Sequence, residues 1–254
     1  MQRPETTYFA DVLTNEMITP HMRRVVFGGP GLAEFTSCGI ADEWIRLFFP
    51  TAAGEPAVLP VSQGKGWSFP DDVPREGRWY SVRRFDPALS ELTVDIVDHD
   101  GGVATAWART AVPGDRIAVS GADGRYGADV PTDWELIVAD MTGLPSALRI
   151  LEEMPAGKTV VAVFEVQSVA DQQVVQTSAE VDVHWLVHPE HGSAPSQLAP
   201  YVEALEWHPG TPYVWMSAEA GATRDVRSYV RRQRRVPNGC ADVVGYWSIK
   251  RNTR

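Results

Sequence analysis

Six consecutive residues, Arg78-Trp-Tyr-Ser-Val-Arg83, bring two guanidinium groups, two aromatic rings and a hydroxyl into one extended stretch. Period-2 alternation puts Arg78, Tyr80 and Val82 on one face and Trp79, Ser81 and Arg83 on the other. A ring to pack on, a hydroxyl near a redox-active nitrogen and arginine forks for a pyrophosphate are the needs of a flavin dinucleotide. Tyr80, Ser81 (near flavin N5), Arg78 and Arg83 supply them. The alternative reading of the same residues is an amphipathic strand with snorkelling arginines.

The next segments fit a phosphate site. His99-Asp-Gly-Gly-Val-Ala-Thr-Ala-Trp107 leads into Pro113-Gly-Asp-Arg-Ile-Ala-Val-Ser-Gly121. Gly101 and Gly102 let backbone approach a ligand, and a helix is expected from there to about Ala111. Its first amides, at Val103, Ala104 and Thr105, form a phosphate cradle.

With these residues in hand, the chain resembles the siderophore-interacting proteins, flavin-dependent ferric-siderophore reductases of the ferredoxin-reductase-like superfamily. That family has an Arg-x-Tyr-Thr/Ser-x-Arg strand, a His-Gly and glycine-rich turn before a Trp-Ala helix, and then Pro-Gly-Asp. Asp100 stands where the family usually has glycine. Asp42-Glu-Trp-Ile-Arg-Leu-Phe-Phe-Pro50 resembles its early strand, with Arg46 where lysine is common. Ala139-Asp-Met-Thr-Gly-Leu-Pro-Ser-Ala147, Ser217-Ala-Glu-Ala220 and Gly245-Tyr-Trp247 resemble its later motifs, although Ser248-Ile-Lys250 departs from the usual continuation.

The resemblance implies FAD held by Arg78, Tyr80, Ser81, Arg83, His99 and residues 101–105. It implies NADH or NADPH as electron donor, bound near Asp140, Thr142, Ala218 and Glu219, and Trp247 near the flavin. It also implies a ferric siderophore as substrate, met by the basic residues Arg46, Arg125 and Lys250. The stretch Glu165-Val-Gln-Ser-Val-Ala-Asp171 carries two acids and no base, which leans toward NADH, since Glu165 or Asp171 would repel a 2′-phosphate. Other readings are a flavin or ferric reductase with a different acceptor, and a siderophore-binding protein without catalysis.

The elements that must position these residues fall into two grammars. Short strands at 8–14, 22–27, 44–49, 78–84, 91–97 and 116–120, separated by Gly/Pro-rich turns and one helix, fit a six-stranded antiparallel FAD-binding barrel. Residues 51–75 read as a long loop. From 131 onward apolar strands alternate with helices: 135–139, helix 144–154, 159–166, 181–187, helix 196–205, 213–217, helix 223–235 and 243–247. That series is a parallel α/β domain, the expected nicotinamide-nucleotide site, with domains 1–127 and 128–254. A Gly-x-Gly-x-x-Gly fingerprint is absent, so the ligand is expected at the strand ends 140–144 and 217–220, by resemblance and by the switch-point rule.

Composition bounds the alternatives. A net charge of −10 over 254 residues argues against nucleic-acid binding. The segment 219–254 is locally basic, with Arg224, Arg227, Arg231, Arg232, Arg234, Arg235, Lys250, Arg251 and Arg254 against Glu219, Asp225 and Asp242. It suits an anionic ligand, or is a solvated helix face. No apolar run is long enough to span a bilayer, and the start lacks a signal-peptide core, so a cytoplasmic protein is expected; a monomer is expected as well. Cys38 and Cys240 fit neither a disulfide framework nor an iron–sulfur cluster. His184, His188 and His191 invite a metal reading, but no cysteine or carboxylate completes a zinc set, and no metal is expected. No Gly-x-Ser-x-Gly elbow supports serine hydrolase chemistry.

Overall fold

Alternating apolar and polar residues, broken at glycine and proline, produce strands in the first half of the chain and βα units in the second. The computed structural model describes residues 6–50, 55–63, 66–73, 75–190 and 192–249, so Lys250 and His191 lie outside the described residues. The chain divides into two units, Met1–Arg125 and Tyr126–Arg254.

The first unit contains β1 (Thr7–Thr19), β2 (Met22–Gly28), β3 (Trp44–Phe48), β4 (Val61–Gln63), β5 (Gly66–Ser68), β6 (Gly77–Ser81), β7 (Arg84–Asp86), β8 (Glu91–Val97), α1 (Val103–Ala108) and β9 (Arg116–Ser120). Seven strands form one antiparallel sheet in the order β6-β3-β9-β1-β2-β8-β7. The expected strand 78–84 is two strands, β6 and β7, which lie at opposite edges of that sheet. The chain crosses between them in one step: the Val82 N–H donates to the Glu43 carbonyl (2.8 Å) and the Arg83 N–H to the Thr93 carbonyl (2.9 Å). Consecutive amides thus bond to strands from opposite sides, so this corner closes the sheet on itself and accounts for the seventh strand. Inside, Val25, Phe27, Ile45, Leu47, Leu92, Val94, Ile96, Ile117 and Val119 are fully buried, each contributing about 1.5–3 kcal/mol of apolar transfer.

The described residues of the stretch 55–75 are less open than a plain loop. The β4–β5 hairpin lies within them, and Trp67, Phe69, Val58 and Leu59 pack against Phe48 and Ala118. Arg75 anchors the segment with its fork on Asp71 (2.6 and 2.8 Å), a bond to Glu55 (3.0 Å) and its guanidinium over Phe69.

The second unit contains β10 (Trp134–Ala139), α2 (Leu144–Glu153), β11 (Thr159–Val166), β12 (Glu180–Val187), α3 (Leu198–Ala204), β13 (Pro212–Glu219), α4 (Ala220–Arg232) and β14 (Ala241–Trp247). All five strands are parallel, in the order β12-β11-β10-β13-β14. Every residue of β10 is buried, as a central strand covered on both faces requires. The sheet grows from β10 toward β12 and then resumes on the other side at β13. The switch point lies between the carboxyl ends of β10 and β13, the place where open α/β sheets bind ligands. No helix among the described residues is long and apolar enough to cross a membrane. Cys38 and Cys240 are both free.

Candidate functional site

In the first unit the closing corner gathers the predicted strand chemistry. Tyr80 lies opposite Ile45 and packs partly buried against the inner core. Burial pushes its phenol well up, only partly offset by the charge of Arg78, so the hydroxyl stays protonated. Ser81 is buried opposite Trp44, and Trp44 is in turn bridged to Asp123 through reciprocal backbone bonds of 2.8 and 3.1 Å.

The two arginines of the motif differ. Arg78 is half exposed and ion-paired with the equally exposed Glu76. The Arg83 side chain is mostly buried beside Asp95, 4.0 Å away. Asp95 is fully buried and also takes the fork of Arg24 at 2.7 and 2.8 Å. It therefore places a negative charge within ion-pair range of Arg83 at the corner, a role that the sequence reading missed. A lone acid in the apolar run of β8 was the available signal, but only the register placing Arg24 opposite Asp95 gives it meaning.

The glycine turn meets its steric requirement. Gly101 and Gly102 have φ of +85° and +96°, a region that side chains strain to adopt. A Cβ at Gly101 would meet nothing within 4 Å, and one at Gly102 would touch the His99 ring at 3.4 Å. The turn is therefore open on one side and floored by His99 on the other. Gly102 caps α1 without a side-chain hydrogen bond, which leaves the first-turn amides of Val103, Ala104 and Thr105 to an external acceptor. The helix ends at Ala108, short of the expected Ala111. Asp100, the departure from the family pattern, braces the turn: Arg109 bonds both Asp98 (2.7 Å) and Asp100 (3.1 Å). The glycine turn has the open backbone that a phosphate cradle needs.

Of the basic residues, Arg46 is the middle residue of β3, and Arg125 is tied by its backbone to Asp42, just before that strand. The Arg46 guanidinium lies 5.5 Å from the ring centroids of Phe48 and Trp79 and donates to the Gly77 carbonyl at 3.2 Å. Arg125 is exposed, and its backbone N–H is fixed by the buried Asp42 carboxylate at 2.7 Å. The third, Lys250, is outside the described residues.

In the second unit Asp140 ties three strand ends together. Its Oδ1 accepts from the Thr142 N–H (2.8 Å), the Thr142 hydroxyl (2.6 Å) and the Gly143 N–H (3.3 Å). Its Oδ2 accepts from the Glu219 N–H (2.9 Å) and the Trp247 indole (2.7 Å). This carboxylate, 1 % exposed, thus joins the ends of β10, β13 and β14 at the switch point. Glu219 in turn caps α4 by accepting from the Gly221 and Ala222 amides, with Ala218 buried beneath it.

The lean toward NADH loses its basis here. Glu165 is buried and accepts from the Gln197 N–H (2.6 Å) and the Ser196 hydroxyl (3.1 Å), holding the start of α3. Asp171 is fully buried and closes a capping box with Ser168. Both acids point inward because backbone donors claim them, so neither stands at the surface to repel a phosphate. His184 bonds Tyr201 (2.9 Å) and Asp182 (3.1 Å), while His188 faces the Ala194 carbonyl (3.4 Å).

Burial pushes the Glu165 carboxyl above its usual 4.5, opposed by the Gln197 amide, the charge of His188 and the Ser196 hydroxyl. A carboxyl raised in the folded state contributes stability below its unfolded pKa and loses it as pH rises through the folded value. Glu165→Gln should therefore gain stability relative to the parent as pH rises above about 4.5, and then level off. Urea unfolding of both proteins across that range measures it; a pH-independent difference would overturn it.

Comparison with known proteins agrees with both halves. Residues 11–126 match the siderophore-interacting FAD-binding domain, and residues 132–250 match the siderophore-interacting protein model. A siderophore utilization protein from T. fusca is 33 % identical, with a TM-score of 0.84 over 100 % of this chain and 96 % of that one. The NADPH-dependent ferric-chelate reductase of Escherichia coli strain K12 is 28 % identical over 94 % of this chain and 92 % of its own. Phthalate dioxygenase reductase shares the fold, with a TM-score of 0.62 at 13 % identity over 97 % of this chain and 70 % of that one. With an FAD-binding barrel followed by a parallel α/β domain, the chain belongs to the siderophore-interacting protein family.

Proposed function

We propose that the protein is an FAD-dependent reductase of ferric siderophores that draws electrons from NADH or NADPH and releases iron in the cytoplasm. The observation that carries this reading is the closing corner of the first sheet, where Tyr80, Ser81 and Arg83 stand within one turn of chain. When bound, FAD supplies the exchange between hydride transfer from a nicotinamide and single-electron transfer to Fe(III).

The protein's own residues bind and orient. Tyr80 would offer a partly buried ring as a packing surface, and Ser81 its hydroxyl to the flavin ring. Arg83, beside Asp95, would offer its fork to a phosphate, and Arg78 would do the same once released from Glu76. Gly101, Gly102 and the amides of residues 103–105 would take the pyrophosphate, with His99 beneath. Asp140, Thr142, Ala218 and Glu219 line the switch point for the nicotinamide nucleotide. Trp247, hydrogen-bonded to Asp140, completes that edge. Arg46, Arg125 and Lys250 would meet the anionic ferric complex. Fe(III) prefers hard oxygen ligands far more than Fe(II) does, so reduction loosens the chelate.

The test is anaerobic. Protein loaded with FAD should bleach its yellow absorbance on addition of NADH or NADPH, recover it with a ferric siderophore, and yield Fe(II) to a colorimetric chelator. Failure to bleach with either nucleotide, or recovery without Fe(II), would overturn the reading. Protein that stays colourless after added FAD would instead be a binding protein without catalysis.

A further inference from the structure

We infer that Trp79, with Arg46 across the sheet from it, forms a stacking platform selecting ferric chelates built on aromatic ligands, such as catecholates, over aliphatic ones. The inference rests on the siderophore reading above and names the substrate class of that site.

Strand β6 has two consecutive exposed residues, Arg78 and Trp79, in a burial pattern that otherwise returns to buried positions at both ends. Trp79 is 46 % exposed, although a mid-strand indole on a sheet gains from being covered. Its cross-strand partner is Arg46, so the two side chains share a face. The guanidinium lies over the Trp79 ring and is braced from beside by Phe48 and by the Gly77 carbonyl. Gly77 makes this possible: a Cβ there would stand 2.2 Å from Arg46 Nε. The backbone thus clears a path for the guanidinium to lie across β6 against the indole.

The outcome is a half-exposed indole with a guanidinium positioned over its ring. A ferric catecholate presents aryl rings on its outside and carries net negative charge, so it matches both features. A carboxylate or hydroxamate chelate without rings matches at most the charge. Stacking of one aryl ring on an indole corresponds to roughly a three- to tenfold change in affinity.

The test uses redox-inert gallium(III) chelates, so that binding is read apart from electron transfer. Isothermal titration of the FAD-loaded protein with gallium tris(dihydroxybenzoate) and with gallium citrate compares two anions that differ in aromatic surface. Trp79→Leu should weaken the aromatic chelate roughly three- to tenfold and leave citrate within about twofold. Trp79→Phe should recover most of that loss, and Arg46→Gln should weaken both chelates. Unaltered affinity of Trp79→Leu for the aromatic chelate, or equal loss for both chelates, would overturn the platform while leaving the reductase reading intact. If neither chelate binds the unmodified protein but NAD(P)H still bleaches the flavin, the siderophore reading fails, and the platform with it.

Discussion

Arg83→Ala is expected to lose FAD affinity by roughly ten- to hundredfold while keeping its fold. A charge-assisted bond from a guanidinium to a phosphate contributes about 1.5–3 kcal/mol, and Arg83 is pre-positioned to make one. Its side chain is mostly buried beside Asp95, so little rotamer entropy remains to be lost on binding. The fold should survive because Asp95 keeps the two-pronged bond to Arg24, which prevents an uncompensated buried charge. Arg78→Ala should have a visibly smaller effect. Arg78 is half exposed and already paired with Glu76, so engaging a ligand means giving up that partner in high-dielectric surroundings. Fluorescence titration of apoprotein with FAD measures both variants. Wild-type affinity in Arg83→Ala, or a larger loss in Arg78→Ala, would place the pyrophosphate elsewhere.

Asp140→Asn should destabilise the second unit by about 3 kcal/mol and slow reduction of the flavin by NAD(P)H more than reduction by dithionite. All five groups around the carboxylate are donors: three amides, the Thr142 hydroxyl and the Trp247 indole. An asparagine of the same shape turns one acceptor oxygen into an NH₂ group that faces N–H donors. At a position 1 % exposed no water relieves the mismatch. The ends of β10, β13 and β14 should then lose their common tie, which is the edge proposed for the nicotinamide nucleotide. Thermal unfolding should show a midpoint lowered by roughly 10 °C for that unit. Dithionite bypasses the nucleotide site and separates a local defect from general loss of cofactor. Unfolding and NAD(P)H kinetics matching the parent would show that Asp140 has no such role.

Local pattern alone accounts for much of the molecule. Alternation in the first half and the strand–helix series in the second are properties of short segments, because each element buries one face or both faces according to its own sequence. The elements of the second unit fall within a few residues of their expected limits for that reason. Residue type and spacing likewise single out the Gly101–Gly102 turn, whose positive φ values are those that glycine alone adopts without strain.

The tertiary structure decided everything that depends on partners far away in the chain. A continuous strand 78–84 was the natural reading of an unbroken extended run. It divides at Val82 because that amide meets Glu43, just before β3, and the next meets β8, segments drawn together only when the sheet closes. The acids were the least legible residues. Glu165 looked like a surface charge but is claimed by the start of α3, some thirty residues on. Asp95 looked ordinary and Asp140 stood out only by resemblance, yet the first takes the fork of Arg24 with Arg83 beside it, and the second ties together strand ends up to 107 positions apart. A carboxylate is acceptable in a protein interior only where donors converge on it. Sequence spacing gives no sign of that convergence, since it is set by strand order and register, which exist only in the folded chain.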